Sequence, residues 1–311
     1  MTVEAKKFGY GWVLASAVCT ATLIAATAFS DGGGTGGDAD HHTDGASTST
    51  SGSTSTSGSA DNGVARLTAR EISDRARREV LNTASLHVTV TDRSKGAGGT
   101  SPSALDIALD RDKNCMATLT FGANGTADVV RRGNRVWMRM DDKLWRAQVP
   151  GAKGRAAAEL YKDRYVTGPV GNPALKGLAS VCDLNALRKQ LRRQTKAEEI
   201  DKKGTPTELD GTRGMPGTPV IPLTGEPTGE PTGKKAGERA GEESGITRTL
   251  YVATRGKPYA LKYTEVSAGT PGARETDTTT RYADYGKPVP LKTPPASESV
   301  DVAKLASLGA A

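Results

Sequence analysis

The chain has 311 residues, of which 36% are hydrophobic and only 5% aromatic, and it carries a formal net charge of +7. It has 37 glycines and 16 prolines, both high, and it contains long polar tracts that cannot bury apolar surface. Without those tracts the chain suits one domain of ordinary size. The positive charge has two readings, a solvated surface or attraction to anionic lipid headgroups and cell-wall polymers.

The first segment, residues 1–29, is predicted to be an export signal. Two lysines precede an apolar run from Tyr10 to Phe29, after which the chain becomes polar and glycine-rich. Three outcomes stay open: cleavage after Ala28, retention as a membrane anchor because the run approaches about 20 residues, and lipidation at Cys19. We therefore expect an extracytoplasmic protein, secreted or associated with the cell membrane, with no nucleic-acid partner.

Residues 30–64 are predicted to form a disordered Ser/Thr/Gly tether. Its r.m.s. reach is on the order of 30 Å, enough to hold a domain clear of a membrane. His41 and His42 lie inside this tract beside several aspartates. We interpret them as a disordered polar pair and not as a metal site, because nothing fixes ligand geometry there.

A domain is predicted over residues 65–305, beginning with a helix. Thr68 and Glu71 have the spacing of a capping box. Ile72, Ala76 and Val80 then follow four residues apart, among several arginines and acids. This pattern predicts a surface helix that buries one narrow stripe.

Strands with one apolar face follow. Residues 86–91, 104–110 and 135–140 alternate apolar and polar side chains, which predicts an antiparallel sheet with one wet face. Asn124-Gly125 is predicted to be a two-residue hairpin turn between two further strands. Another strand is predicted to begin at the sequence LWRAQV, residues 144–149.

The middle of the chain is predicted to be helical, with one helix after Asn172-Pro173 and another after Asp183. Residues 211–245 are rich in Pro, Gly and Glu, and we predict a disordered loop inserted in a hairpin. Strands are predicted again at residues 246–254, 259–266 and 276–286, before a tail at residues 306–311.

The sequence does not support an enzyme or a cofactor. The domain has one histidine, His87, predicted to lie on the wet face of a strand. Cys115 and Cys182 are an even pair in an exported domain and are predicted to form a disulfide. No HExxH, CxxC or phosphate-loop motif occurs, so we expect no catalytic residues and no metal site.

A sheet with one apolar face needs a cover, and only a few short helices are predicted. A broad curved sheet with few helices can enclose an apolar cavity for a lipid, and the flexible Met138 and Met140 suit an adaptable lining. The alternative is an ordinary filled core. The predicted lining consists of the inward side chains of the strands: Leu86, Val88, Val90, Leu105, Ile107, Leu109, Val136, Met138, Met140, Leu250 and Val252.

Four stretches of the sequence carry a family resemblance. The first is the leader with its tether. The others are the segments NCMATLTFGANGTADVVRRGNRVWMRMDDKLWRA, GITRTLYVATRGKPYALKYTEV and the closing YADYGKPVPLKTPP. Together they resemble the LppX/LprG-type lipoproteins of the cell envelope, relatives of the LolA/LolB lipoprotein carriers. The leader departs from that pattern, with Phe29 where the lipidated cysteine is expected.

The resemblance implies an α+β fold, a curved antiparallel half-barrel sheet with a few helices packed in its concave face. It also implies a monomer that binds an acyl lipid or glycolipid and works at a membrane surface. The alternative is a tethered, non-catalytic accessory or signalling module of the envelope whose core is filled.

Overall fold

A computed structural model describes residues 60–94, 97, 101–149, 151–194, 200–209, 217–225, 247–267 and 275–304. The predicted signal 1–29, residues 30–59 of the predicted tether and the tail 306–311 lie outside this part of the chain. In the part that is described, no helix is long and apolar enough to cross a membrane.

A single sheet of thirteen strands organises the domain. Its strands are β1 (Ser85–Asp92), β2 (Ala104–Asp110), β3 (Asn114–Thr120), β4 (Thr126–Arg132), β5 (Arg135–Met140), β6 (Tyr165–Pro169), β7 (Lys202–Lys203), β8 (Thr207–Leu209), β9 (Thr218–Gly225), β10 (Thr247–Ala253), β11 (Ala260–Ser267), β12 (Thr276–Ala283) and β13 (Ser299–Asp301). Their order across the sheet is β13-β6-β5-β4-β3-β2-β1-β12-β11-β10-β9-β7, and β8 pairs with β9 beside β7. All pairs are antiparallel except β13 with β6, and the two edges do not meet, so the sheet stays open.

In the described part of the chain, five helices pack on the inner face of this sheet. They are α1 (Ala69–Asn82), α2 (Asp142–Gln148), α3 (Ala152–Tyr161), α4 (Pro173–Ala179) and α5 (Leu184–Gln194). Apolar side chains from all five join the inward side chains of the strands in one continuous core. The predicted α+β class, an open curved sheet with helices in its concave face, is confirmed.

The start of α1 contains the capping box that the spacing of Thr68 and Glu71 predicted. The Thr68 hydroxyl accepts a hydrogen bond from the Glu71 backbone N–H, while the Glu71 carboxylate accepts one from the Thr68 N–H at 2.9 Å. These two bonds satisfy two of the donors that a helix start leaves unpaired. Ile72, Ala76 and Val80 are buried on the side that faces the sheet, as the spacing predicted.

A disulfide joins Cys115 and Cys182, with 5.5 Å between their Cα atoms, and confirms the predicted pair. Cys115 lies on the inner face of β3, and Cys182 ends a 3-10 turn, Ser180–Cys182, between α4 and α5. The bond therefore fastens the helical cover to the middle of the sheet.

The prediction of a strand at LWRAQV, residues 144–149, is wrong, because residues 142–148 form the helix α2. Asp141 caps this helix by accepting a hydrogen bond from the Leu144 N–H at 2.8 Å. Arg146 pairs with Asp142 four residues earlier, at 3.0 Å. Over six residues an alternating pattern does not distinguish a short strand from two helical turns.

The prediction of a disordered loop over residues 211–245 is wrong for Thr218–Gly225, which form β9; residues 211–216 and 226–245 lie outside the described part. Pro219 and Pro222 made this segment read as a loop. Pro222 is tolerated because it lies between the points where β8 and β7 pair with β9.

Order also begins earlier than the predicted tether boundary at residue 64. Asn62 donates a side-chain hydrogen bond to the Ala253 carbonyl at 2.9 Å, and Val64 is fully buried.

The predicted two-residue turn at Asn124-Gly125 is also wrong. A 3-10 turn, Gly122–Asn124, connects β3 and β4, and the preceding Phe121 is buried in the core. Gly125 has a φ of 114° and lies so close to the Asp141 carboxylate that no side chain fits there.

Candidate functional site

The inner face of the sheet carries one continuous line of paired side chains, which we call the inner row. Strand register places its members next to one another across seven neighbouring strands, in the sheet order β3-β2-β1-β12-β11-β10-β9. They are Leu119, Leu105, Val90, Thr280, Tyr263, Leu250 and Leu223. Its two ends, Leu119 and Leu223, are fully buried, and Val90 is 7% exposed, whereas Leu105 on one side of Val90 and Thr280, Tyr263 and Leu250 on the other are half-buried. The helices of the described part therefore leave the middle of the inner row incompletely covered.

The eleven residues predicted to line a lipid site all join or pack against the core, but they divide into two groups. Leu105 and Leu250 belong to the half-buried middle of the inner row. The other nine are less than one tenth exposed: Leu86, Val88, Val90, Ile107, Leu109, Val136, Met138, Met140 and Val252. The structure thus places most of the predicted lining where helices already cover it, and leaves two of its members at a partly open surface.

A charged line borders the inner row two residues further along each strand, and we call it the polar border. It consists of Asp92, Thr278, Glu265 and Arg248, which are neighbours in the strand register. Arg248 pairs with Glu265 at 3.1 Å, and its side chain is 10% exposed, against 25% for Glu265. An apolar strip beside a line of ionic and hydroxyl groups can contact both parts of an amphiphilic molecule.

On α2 and α3, two buried polar atoms lack hydrogen-bond partners among the described residues. They are the Trp145 Nε1–H on α2 and the Tyr161 hydroxyl at the end of α3, and both side chains are buried. Their rings pack with centroids 5.6 Å apart. Burial raises the pKa of Tyr161, so its hydroxyl stays a neutral donor at physiological pH.

The outer face of the sheet holds a cleft of about 470 Å³. Of the eleven predicted residues, only Leu86 contributes to its lining. His87 lies here, with its Nε2 2.7 Å from an Asp106 carboxylate oxygen and its Nδ1 3.5 Å from Asp284. The wet-face position predicted for His87 is therefore confirmed.

The arrangement offers few groups for catalysis. Both domain cysteines are consumed by the disulfide, so neither is a nucleophile. In the described part of the chain, no group of three or more His, Cys, Asp or Glu side chains is placed to hold a metal ion.

Sequence reasoning missed the inner-row residues Leu119, Thr280, Tyr263 and Leu223 and the whole polar border. The alternation in TRTLYVAT, continued by one step, places Arg248 on the same face as Leu250 and Val252. In β12 the run of threonines hides which face is inward, since the same residue type occupies both. Leu223 was missed because its strand was read as part of a loop.

Comparison with solved structures finds proteins of the group that the sequence resembles. LprF from Mycobacterium bovis is similar with a TM-score of 0.40 and 13% identity, over 73% of this chain and 96% of LprF. The Mycobacterium tuberculosis lipoprotein LppX is similar with a TM-score of 0.32 and 12% identity, over 72% of this chain and 98% of LppX. A LolA superfamily protein from Nitrosomonas europaea has a TM-score of 0.18 and 11% identity, over 74% and 96% of the two chains.

All three likenesses are weak, with identities of 13% or less. At TM-scores below 0.5 they assign no ligand and no site to this chain. No family model matches the chain, and no curated protein matches it in sequence.

Proposed function

We propose that this chain is an exported protein of the cell envelope that binds a lipid on the inner face of its sheet. The observation that carries the proposal is the half-buried middle of the inner row beside the polar border. Leu105, Tyr263 and Leu250 offer apolar surface that the described helices leave partly open, and Arg248 and Glu265 lie next to it.

The chemistry of this surface fits an acyl lipid or glycolipid. An acyl chain laid along the inner row replaces water on both surfaces, which stabilises the complex by about 0.8 kcal/mol for each buried methylene. A phosphate, sugar or ester group at the end of that chain meets the charged and hydroxyl groups of the polar border. Carrying and storing a lipid both require this kind of site.

The disulfide supports the extracytoplasmic setting. A bond between Cys115 and Cys182 persists in an oxidising compartment and is rare in the cytosol. Together with the predicted export signal, it favours work outside the cytoplasm, either secreted or close to a membrane surface.

A second candidate function is a tethered, non-catalytic module of the envelope that carries no lipid. The observation in its favour is that nine of the eleven predicted lining side chains are almost fully buried in one core. On this account the half-buried inner row is simply the margin of a filled core.

Substitution with tryptophan at matched positions separates the two candidates. If the inner row binds lipid, Leu250→Trp occupies the site, weakens binding of a fluorescent fatty acid at least about tenfold and costs little stability. Met138→Trp is the control: its side chain is 2% exposed in the covered core, so the added ring overpacks it and costs about 1–3 kcal/mol. A parent protein that binds no fatty acid, with equal destabilisation by both substitutions, would support the filled-core module.

A further inference from the structure

The outer face of the sheet has its own apolar line, separate from the inner row. Strand register places His87, Ala108, Met116, Val130 and Trp137 side by side across β1 to β5. Val130 and Trp137 are less than one tenth exposed, yet neither belongs to the inner core. A second element of the structure must therefore cover this outer line.

Part of that cover, over Met116 and Val130, is the segment of residues 284–295, which we call the strap. It leads from β12 to β13, which lie on opposite sides of the six strands β1 to β6, and it crosses them on the outer face. At its start, the Gly286 N–H donates to the Ser85 carbonyl at 3.0 Å, and the Ser85 hydroxyl donates to the Lys287 carbonyl. Tyr285 also anchors it, by stacking on Tyr259 with ring centroids 4.0 Å apart.

Between these anchors and β13 the strap is not bonded into the sheet. Its residues 288, 290, 294 and 295 are prolines, which have no backbone N–H to donate. Across residues 288–294 no backbone hydrogen bond of the described chain reaches the sheet. The strap therefore spans the outer line as a bridge, and the cleft of about 470 Å³ lies beneath it.

The walls of this cleft differ in character. Met116 and Val130 on the sheet and Pro288 to Pro290 on the strap provide apolar surface. The next line of the sheet provides Asp106, Thr118, Asp128 and Arg139, neighbours in the strand register.

Ionic pairing leaves one carboxylate of the cleft without a permanent cation. Asp128 pairs with Arg139 at 2.7 Å, and Asp284 pairs with Lys287 at 2.7 Å, which holds the pKa of Asp284 below its ordinary value. In the described part of the chain, Asp106 has no lysine or arginine partner, and its one recorded contact is His87. Both permanent cations of the cleft are thus paired, while the Asp106 side chain, 63% exposed, is paired in the described part of the chain only with the His87 imidazole.

We propose that this cleft is a second binding site, independent of the inner row, for a small amphiphilic cation. The ammonium group of the ligand donates to Asp106, and its apolar body lies between Met116 and Val130 on one side and the strap on the other. The volume falls within the range of sites that hold small organic molecules, about 300–1,000 Å³. An anion of the same size finds Arg139 and Lys287 already paired and meets the charge of Asp106.

Calorimetric titration with octylammonium and octyl sulfate tests the charge preference, since the two share one chain length. We expect octylammonium to bind one to one, and octyl sulfate at least about tenfold more weakly. Asp106→Asn should lower the octylammonium affinity about twofold to fivefold, because the Asp106 side chain is 63% exposed and an exposed ion pair contributes at most about 1 kcal/mol. Asp112→Asn, an exposed carboxylate in the β2–β3 turn, removes the same charge elsewhere and should leave the affinity unchanged.

Two further substitutions decide which face of the sheet is used. Ala108→Trp places a ring in the cleft and should abolish octylammonium binding, whereas Leu250→Trp in the inner row should leave it intact. If Ala108→Trp does not fold, as circular dichroism would show, the Asp106→Asn comparison decides alone. Equal binding of both amphiphiles, no binding of octylammonium, or loss of its binding in Leu250→Trp but not in Asp106→Asn would overturn the proposal. None of these outcomes depends on whether a fatty acid binds the inner row.

Discussion

Tyr161 and Tyr285 show how much a single hydroxyl depends on its surroundings. The Tyr161 hydroxyl is buried without a partner among the described residues, whereas the Tyr285 hydroxyl donates to the Ala260 carbonyl at 2.6 Å. A buried donor without an acceptor loses its hydration and gains nothing in return, while a bonded one recovers that loss. The two phenols therefore form a matched pair for substitution by phenylalanine.

Tyr161→Phe is expected to leave the free energy of unfolding unchanged or to raise it by up to about 1 kcal/mol, because it removes an unpaired buried hydroxyl. Tyr285→Phe is expected to lower the same quantity by about 1 kcal/mol, since it breaks a hydrogen bond that holds the start of the strap. Urea unfolding of both variants measures the difference. A clear loss of stability in Tyr161→Phe would mean that its hydroxyl has an acceptor, such as a bound lipid carbonyl.

Among the elements, α1 is defined at its start by a reciprocal pair of hydrogen bonds. Those bonds from Thr68 are the main cause of the lowered pKa of the Glu71 carboxyl, whose ordinary value is 4.5. A carboxyl whose pKa is lower in the folded protein than in the unfolded chain stabilises the fold. This contribution is fully present when the pH is above the pKa of the group in the unfolded chain. That contribution is lost as the pH falls through the folded value.

Thr68→Ala is therefore expected to cost about 1 kcal/mol at neutral pH and to reduce the loss of stability that the parent shows below about pH 4.5. Thermal unfolding between pH 7 and pH 3 measures both effects. The matched control is Thr249→Ala, a threonine within β10 that does not cap a helix. An unchanged pH profile in Thr68→Ala would contradict the role given to the capping box.

The disulfide links strand β3 covalently to the helices that cover the sheet. Replacing both Cys115 and Cys182 with alanine is expected to lower the free energy of unfolding by about 4 kcal/mol, because the bond closes a 67-residue separation in the unfolded chain. Urea unfolding of the double variant and of the reduced parent measures this loss. Equal stability of the oxidised and reduced parent would contradict it.

The elements that could be predicted from the sequence are those whose local signals agree with their tertiary setting. The capping box and four-residue spacing located α1, and strict alternation located β1, β2 and β5. The sequence of β9 contains two prolines: Pro222 is acceptable because it lies in the gap between β8 and β7, and Pro219 is the second residue of the strand, opposite Glu208 of β8. The six residues 144–149 were predicted to begin a strand, but the first five belong to α2, whose start is capped by Asp141.

At the scale of the whole molecule, the sheet presents two different amphiphilic surfaces. The inner row was predictable in part, because Leu105 and Leu250 belong to clear alternating patterns. The outer cleft was not, since it forms between strands and a strap that meet only through the crossing from β12 to β13. Sequence patterns identify which side chains share a face, but not what lies across from that face.

Native mass spectrometry of the protein, purified without detergent, tests the central claim most directly. If the inner row binds lipid, the spectrum of the parent should contain a species heavier than the chain by the mass of an acyl lipid or glycolipid, and Leu250→Trp should lose that species. The Ala108→Trp variant, altered on the outer face, should keep it. A parent that has only the mass of its own chain, and that takes up no fatty acid when one is supplied, would contradict the proposal that this protein binds lipid.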